Sequence, residues 1–289
     1  MVNKMRLVVG ENEKGVILEN FLRNKGFSKR LIRIYKWQGE ILVNGIKSNV
    51  KRILQPGDVI DLILPENDSN IAPEKLDLDI CYEDEEILIV NKPANMVVHP
   101  TKRYQSGTLA NGVAWYFKEK GLKALIRPVN RLDRGTSGLV VFAKRPFMQY
   151  YLQIIKPMTK LYFAVVEGKM EGEGRIDLPI SRKPQSGIER MVSEEGDRAI
   201  TNYKVVKSSK RFSLLKVKIE TGRTHQIRVH LSHIGHPIVG DTLYGSSDDY
   251  IKRQALHAYR LTFVHPLEEK SISVYSPLPQ DIQNLLKLF

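Results

Sequence analysis

The chain has 289 residues, 42% hydrophobic and 27% charged, the balance of a globular protein large enough to bury its own core. Its single cysteine, Cys81, excludes an internal disulfide framework or a cysteine zinc site within one chain, and no apolar run approaches the roughly 20 residues that span a bilayer. A net charge of +13 suits a polyanionic partner, of which nucleic acid is the commonest. Met1 to Gly10 has no long apolar segment followed by a small-residue cleavage site, so a cytoplasmic location is expected. Cys81 lies in an apolar stretch and reads as a small core residue.

Residues 1–66 read as a small separate unit. Val16 to Asn24 has a roughly helical apolar period, broken at Gly26. Ser28 is a plausible N-cap for a second helix from Lys29 to about Trp37, whose first turns carry Lys29, Arg30 and Arg33. From Arg23 to Arg52 nine basic residues face one acid, Glu40; such a run is either a solvated face or a nucleic-acid surface. Asn44-Gly45 marks a hairpin turn between two short strands, and Pro56-Gly57-Asp58 turns the chain into a strand from Val59 to Leu64. Residues 67–75 are polar and aperiodic, as expected of a linker. From 76 to 289 no further boundary is evident. Strands are expected at Ile87 to Val90, Leu139 to Ala143, Tyr162 to Val166 and Phe212 to Ile219, and helices near 107–119, 146–155, 249–255 and 280–288.

Three segments carry residues suited to chemistry. Asn130-Arg131-Leu132-Asp133-Arg134-Gly135-Thr136-Ser137-Gly138 sets a carboxylate between two arginines in a glycine-bounded loop. Cations there would hold Asp133 ionised as a base or nucleophile, although the same pattern also makes surface ion pairs. Thr221-Gly222-Arg223-Thr224-His225-Gln226-Ile227-Arg228-Val229-His230 follows an alternating strand, and four histidines fall within residues 225–236. Their spacing matches no known ligand motif, so hydrogen bonding is the expected use and no metal is assigned. Lys160-Leu161-Tyr162-Phe163-Ala164-Val165 reads as a core strand.

The first of these segments is very similar to the catalytic loop of the ribosomal large-subunit pseudouridine synthases, whose pattern is His-Arg-Leu-Asp followed two residues later by Thr-Ser-Gly. Separated stretches extend the resemblance over about residues 77–289. They include Val90-Asn91-Lys92-Pro93, Val97-Val98-His99-Pro100, Gly107-Thr108-Leu109, Ile234-Gly235-His236-Pro237, Gly240-Asp241, Leu256-His257-Ala258 and Pro277-Leu278-Pro279. The N-terminal unit resembles, over about residues 3–65, the RNA-binding domain named after the fourth protein of the small ribosomal subunit. Ser28-Lys29-Arg30, Gly39, Val43-Asn44-Gly45 and Gly57-Asp58 carry that likeness.

Together the resemblances imply an α+β protein: a catalytic domain on a mixed, mostly antiparallel sheet flanked by helices and loops, preceded by a small α/β RNA-binding domain. They imply Asp133 as the catalytic aspartate and Arg131 as the arginine that displaces a base pair and holds a flipped-out nucleotide. Arg223 would pair with Asp133, and the Tyr162 ring would stack on the target uracil. Lys29, Arg30 and Arg33 would meet RNA phosphates. Asn130 replaces the family's histidine, and Asn95 stands where glycine is usual. The implied reaction isomerises uridine to pseudouridine and needs no cofactor or metal. Asp133 would act either as a nucleophile or by abstracting a ribose proton. A monomer acting on large-subunit ribosomal RNA is expected. The alternatives are transfer RNA as substrate, a non-catalytic ribosome-binding protein, or a metal-dependent hydrolase using the histidines.

Overall fold

A computed structural model describes residues 4–65, 69 and 71–289. The N-terminal unit runs β1 (Lys4–Val8), α1 (Leu18–Asn24), α2 (Lys29–Gln38), β2 (Glu40–Val43), β3 (Ile46–Lys47) and β4 (Val59–Ile63), with sheet order β1-β4-β2-β3. Ser28 caps α2, its Oγ accepting from the Leu31 amide at 3.1 Å. Asn44 and Gly45 take the left-handed angles (φ 54° and 79°) that a tight hairpin turn demands. Strand β1 has no signal of its own in the sequence; it is defined by pairing with β4, where Asp61 also holds Lys4 and Arg6.

The rest of the chain continues β5 (Asp79–Glu83), β6 (Ile87–Lys92), α3 (Leu109–Glu119), β7 (Arg127–Pro128), β8 (Ser137–Ala143), α4 (Pro146–Tyr150) and β9 (Thr159–Glu167). It then adds β10 (Glu173–Asp177), β11 (Ile180–Arg182), β12 (Arg190–Val192), β13 (Ile200–Ser208), β14 (Phe212–Ile219) and α5 (Gln226–His233). The chain ends with β15 (Leu256–Val264), β16 (Ser271–Tyr275) and α6 (Gln280–Leu286). Among the described residues these strands form one ten-stranded sheet with the path β10-β13-β14-β9-β15-β8-β6-β5, plus the separate hairpin β11-β12. Among the described residues only β15 and β8 pair in parallel, so the sheet is mixed and mostly antiparallel, in line with the α+β expectation.

The central strands read as continuous apolar runs because both their faces are covered. Leu88, Val90, Val140 and Phe142 point into one core with α3, α5 and α6. Ile87, Ile89, Leu139, Val141 and Ala143 point into a second core, which also contains Met5, Phe21, Phe27, Tyr35 and Leu62 of the N-terminal unit. Phe27 stacks on Phe147 of α4 with ring centroids 4.1 Å apart, and Tyr35 meets Phe27 edge-on at 6.1 Å. The N-terminal unit is therefore the cover of one sheet face.

Three sequence expectations need correction. Segment 67–75 is not a free spacer: Ile71 is buried in the first core, Ala72 O accepts from the Asn111 side chain at 2.8 Å, and the Glu74 carboxylate accepts from Gly107 N. Residues 67, 68 and 70 of that segment lie outside the described residues. No helix forms at 249–255; at its end Ala255 pairs laterally with sequence-distant backbone, its N donating to Val239 O and its O accepting from Val165 N. The helix expected over 146–155 is α-helical only to Tyr150 and widens into a π-helical turn over Tyr151–Ile155. Cys81 is half-buried against the second core, and burial raises its thiol pKa.

Candidate active site

The catalytic-loop segment leads into β8 and is held from several sides. Asn130 Nδ2 donates to Leu139 O at 3.1 Å while its Oδ1 accepts from Val141 N at 2.9 Å, splinting the loop to the strand. Thr136 N closes a turn onto Asp133 O at 3.0 Å. Arg253 Nη1 donates to Gly135 O and Gln254 Nε2 to Thr136 Oγ1, both at 3.1 Å. The fully buried Lys92 donates to Pro93 O and Met96 O at 2.8 Å and to Arg134 O at 3.2 Å, tying the loop to the turn that contains Asn95. Asn95 has φ 64°, a left-handed angle that explains why glycine suits this position and asparagine is the next best choice.

Burial, with the nearby Arg253 charge, pulls the Lys92 ammonium down to about 7 against the opposing pull of Asp133. Unfolding returns the group to its ordinary 10.5. Between those values the unfolded chain holds a proton that the folded chain has given up, so stability should rise with pH across the window, by up to roughly 1.4 kcal/mol per unit. Denaturant unfolding at pH 7 and pH 9 checks this; Lys92→Met should be less stable at both and lack this share of the rise.

Asp133 opens onto a cleft of about 630 Å³, lined also by Arg131, Tyr162, Lys160, Arg223, His225 and Arg228. Helix α5 brings the cation: Arg228 Nη1 lies 3.2 Å from Asp133 Oδ2. The same guanidinium grips the buried Asp241 with two bonds, Nε to Oδ2 at 2.7 Å and Nη2 to Oδ1 at 2.8 Å, and stacks over Tyr244 at 4.9 Å. Burial opposes the Arg228 charge, but Asp241 and Asp133 outweigh it and its pKa is raised. His225, at a left-handed φ of 57°, sets its Nε2 3.9 Å from Asp133 Oδ2 and its Nδ1 2.8 Å from the Tyr244 hydroxyl. Burial lowers the His225 pKa, partly offset by Asp133, which favours the neutral ring. Both neighbours meet Oδ2, which leaves Oδ1 of Asp133 uncommitted among the described residues.

Tyr162, on β9, is 5% exposed. Burial, and then the Asp133 charge, raise its pKa, so the hydroxyl stays protonated. Arg131 is exposed and unpaired among the described residues at the cleft wall. Arg223 lines the cleft too, but it does not pair with Asp133. Its Nη1 lies 3.3 Å from Asp197 and its Nε donates to Arg198 O at 3.1 Å. The reason is the turn before α5: Gln226 Oε1 accepts from Arg223 N and Thr221 Oγ1, fixing residues 221–223 toward the Asp197 loop, while the helix carries Arg228 inward. A buried arginine between Ile227 and Val229 must be paired, and that burial was the missed signal. Lys29, Arg30 and Arg33 sit exposed on α2, outside the cleft. Two of the other histidines in this segment make structural hydrogen bonds to distant parts of the chain: His230 to Thr201 and Leu178 O, and His236 to Glu167 O.

Arg228→Met should strand the buried Asp241 and cost about 3–5 kcal/mol, together with most activity. Arg223→Ala breaks a surface pair whose carboxylate is 72% exposed, a change of about 0–1 kcal/mol. Thermal unfolding and turnover of the two variants check the contrast.

Sheet and site together define an arginine-braced carboxylate in a cleft walled by cations, an arrangement suited to a polyanionic substrate. The chain matches the RNA pseudouridylate synthase family model over residues 86–233. It is 40% identical over 269 residues to an uncharacterized RNA pseudouridine synthase of Bacillus subtilis, YjbO, covering 91% of this chain and 95% of the relative. It is 34% identical to the ribosomal large subunit pseudouridine synthase D of Xanthomonas campestris over 278 residues, covering 88% and 83% respectively. Human RNA pseudouridylate synthase domain containing 1 superposes with a TM-score of 0.58 at 26% identity, covering 73% of this chain and 94% of that one. The chain belongs to the RNA pseudouridylate synthase family and isomerises uridine to pseudouridine in RNA. No helix among the described residues is long and apolar enough to cross a membrane.

Proposed function

We propose that the enzyme modifies specific uridines of large-subunit ribosomal RNA, with Asp133 as its catalytic carboxylate. The carrying observation is that Asp133 lines a cleft of about 630 Å³ with its Oδ1 uncommitted among the described residues while Oδ2 is braced by Arg228. The likeness to large-subunit synthases supports the ribosomal substrate, including 35% identity over 304 residues to the enzyme of Yersinia pestis, covering 98% of this chain and 94% of that one. Tyr162 stacks on the flipped uracil, and Arg131 occupies the place that base leaves and holds the nucleotide. Arg228 supplies the fixed charge that aims Asp133, and Arg223 borders the entrance. Residues 1–66 act as an RNA-binding domain through Lys29, Arg30 and Arg33, residues 76–289 are the catalytic domain, and the protein works as a cytoplasmic monomer.

The reaction breaks the bond from ribose C1′ to uracil N1 and joins C1′ to C5. The C5 hydrogen leaves to water and N1 regains a proton, so the sum is an isomerisation that needs no oxidant and no added group. Protein supplied with C5-tritiated RNA and EDTA should release tritium at the rate seen without chelator. Release should be faster on large-subunit ribosomal transcripts than on transfer RNA. Loss of release in EDTA, restored by a divalent metal, would overturn the cofactor-free reading; preference for transfer RNA would overturn the ribosomal one.

A further inference from the structure

Helix α2 turns two unlike faces outward and inward. Leu31, Ile32 and Tyr35 are buried. The opposite face carries Lys29, Arg30, Arg33, Lys36 and Trp37, all exposed, and the helix has no acidic residue. Trp37 is 73% exposed, the most exposed large hydrophobic side chain among the described residues. It stands one helical turn beyond Arg33 and two beyond Arg30, on the same stripe. Lys36 Nζ lies 4.9 Å from the centre of its ring. None of the four cations is ion-paired among the described residues.

We propose that this stripe is a binding site for an unpaired nucleobase in single-stranded RNA. The base stacks on Trp37, and the phosphates on either side meet Arg30, Arg33 and Lys36. Charge complementarity selects a polyanion as the occupant, and the ring selects one whose bases are free: a duplex offers phosphates but hides its base faces. The inference rests on reading the N-terminal unit as RNA-binding and adds a preference that cations alone do not give. The site is also fixed relative to the cleft. Tyr35 anchors α2 to Phe27, Phe27 stacks on Phe147, and the segment that follows Phe147 carries Gln153 into the cleft wall. A base held at Trp37 therefore sets where the neighbouring RNA enters.

Full-length wild type, Trp37→Ala and Trp37→Phe are compared by equilibrium binding to three probes: a single-stranded oligonucleotide, the same strand with abasic sites, and a duplex of equal length. Trp37→Ala should weaken the single strand by about fivefold or more, with Trp37→Phe recovering most of the loss. Abasic strand and duplex should bind all three proteins alike, and the salt slope should not change, because no charge is removed. Arg30→Gln with Arg33→Gln should lower that slope by about 0.7 per lost phosphate contact. If the arginine pair lowers the slope but Trp37→Ala binds the single strand as wild type does, stacking is wrong and the RNA reading of this unit survives. If neither change matters, the RNA reading of the unit falls as well. An equal loss on all three probes, or self-association abolished by Trp37→Ala with RNA binding intact, would also overturn the proposal.

Discussion

Asp133→Asn protein is expected to bind RNA as wild type does and to release tritium from C5-labelled uridine at least about a thousandfold more slowly, roughly 4 kcal/mol of lost barrier reduction. The argument is local. The amide keeps the carboxylate's shape but has neither its charge nor its basicity, so it can neither attack the ribose nor take a proton from it. Arg228 keeps its two bonds to Asp241, so helix α5 and the cleft stay where they are. Unfolding temperature should accordingly move little, which separates loss of chemistry from loss of structure. Turnover within tenfold of wild type in a preparation free of host synthase would mean that the reacting group lies elsewhere.

The second large effect concerns the join between the two parts of the chain. Removing residues 1–66 strips the cover from a sheet face that holds Ile87, Ile89, Leu139 and Val141, and bares Phe147. The truncated chain should aggregate or unfold without cooperativity. Phe147→Ala in the full-length protein should cost about 3–5 kcal/mol, since the side chain is 1% exposed. Phe27→Ala should cost a similar amount, and the double variant less than the sum, because each removes one side of the same ring stack. Urea unfolding of the three variants measures this. A truncated chain that stays monomeric with an unchanged midpoint would show the two parts to be independent.

Much of the fold was written in local pattern. Strand β14 matches the alternating stretch Phe212 to Ile219 end to end, and Ser28 caps α2. Asn44-Gly45 makes its turn. What escaped depends on partners distant in the chain. Residues 4–8 are a strand because β4 lies beside them. Residues 249–255 look helical, but the segment leads into lateral pairing at Ala255, which bonds to Val239 and Val165. At the cleft, the loop around Asp133 was legible from its glycines and its resemblance, whereas the choice between Arg223 and Arg228 was not. Two arginines five residues apart point in different directions once a helix starts between them, and composition does not say where it starts. The shared core was hidden for a related reason: an apolar strand reads alike whether its second face meets a helix of its own domain or a neighbouring unit.

The substitution of Asn130 for the family's histidine acquires a consequence from its two bonds to β8. A carboxamide offers one donor and one acceptor on a single plane, and it does not ionise in the working range of an enzyme. An imidazole at the same place would gain a proton near its ordinary pKa of about 6.5 and lose its acceptor. In this chain the hinge between loop and strand is therefore indifferent to acid, so mild acidification leaves the Asn130 fastening closed.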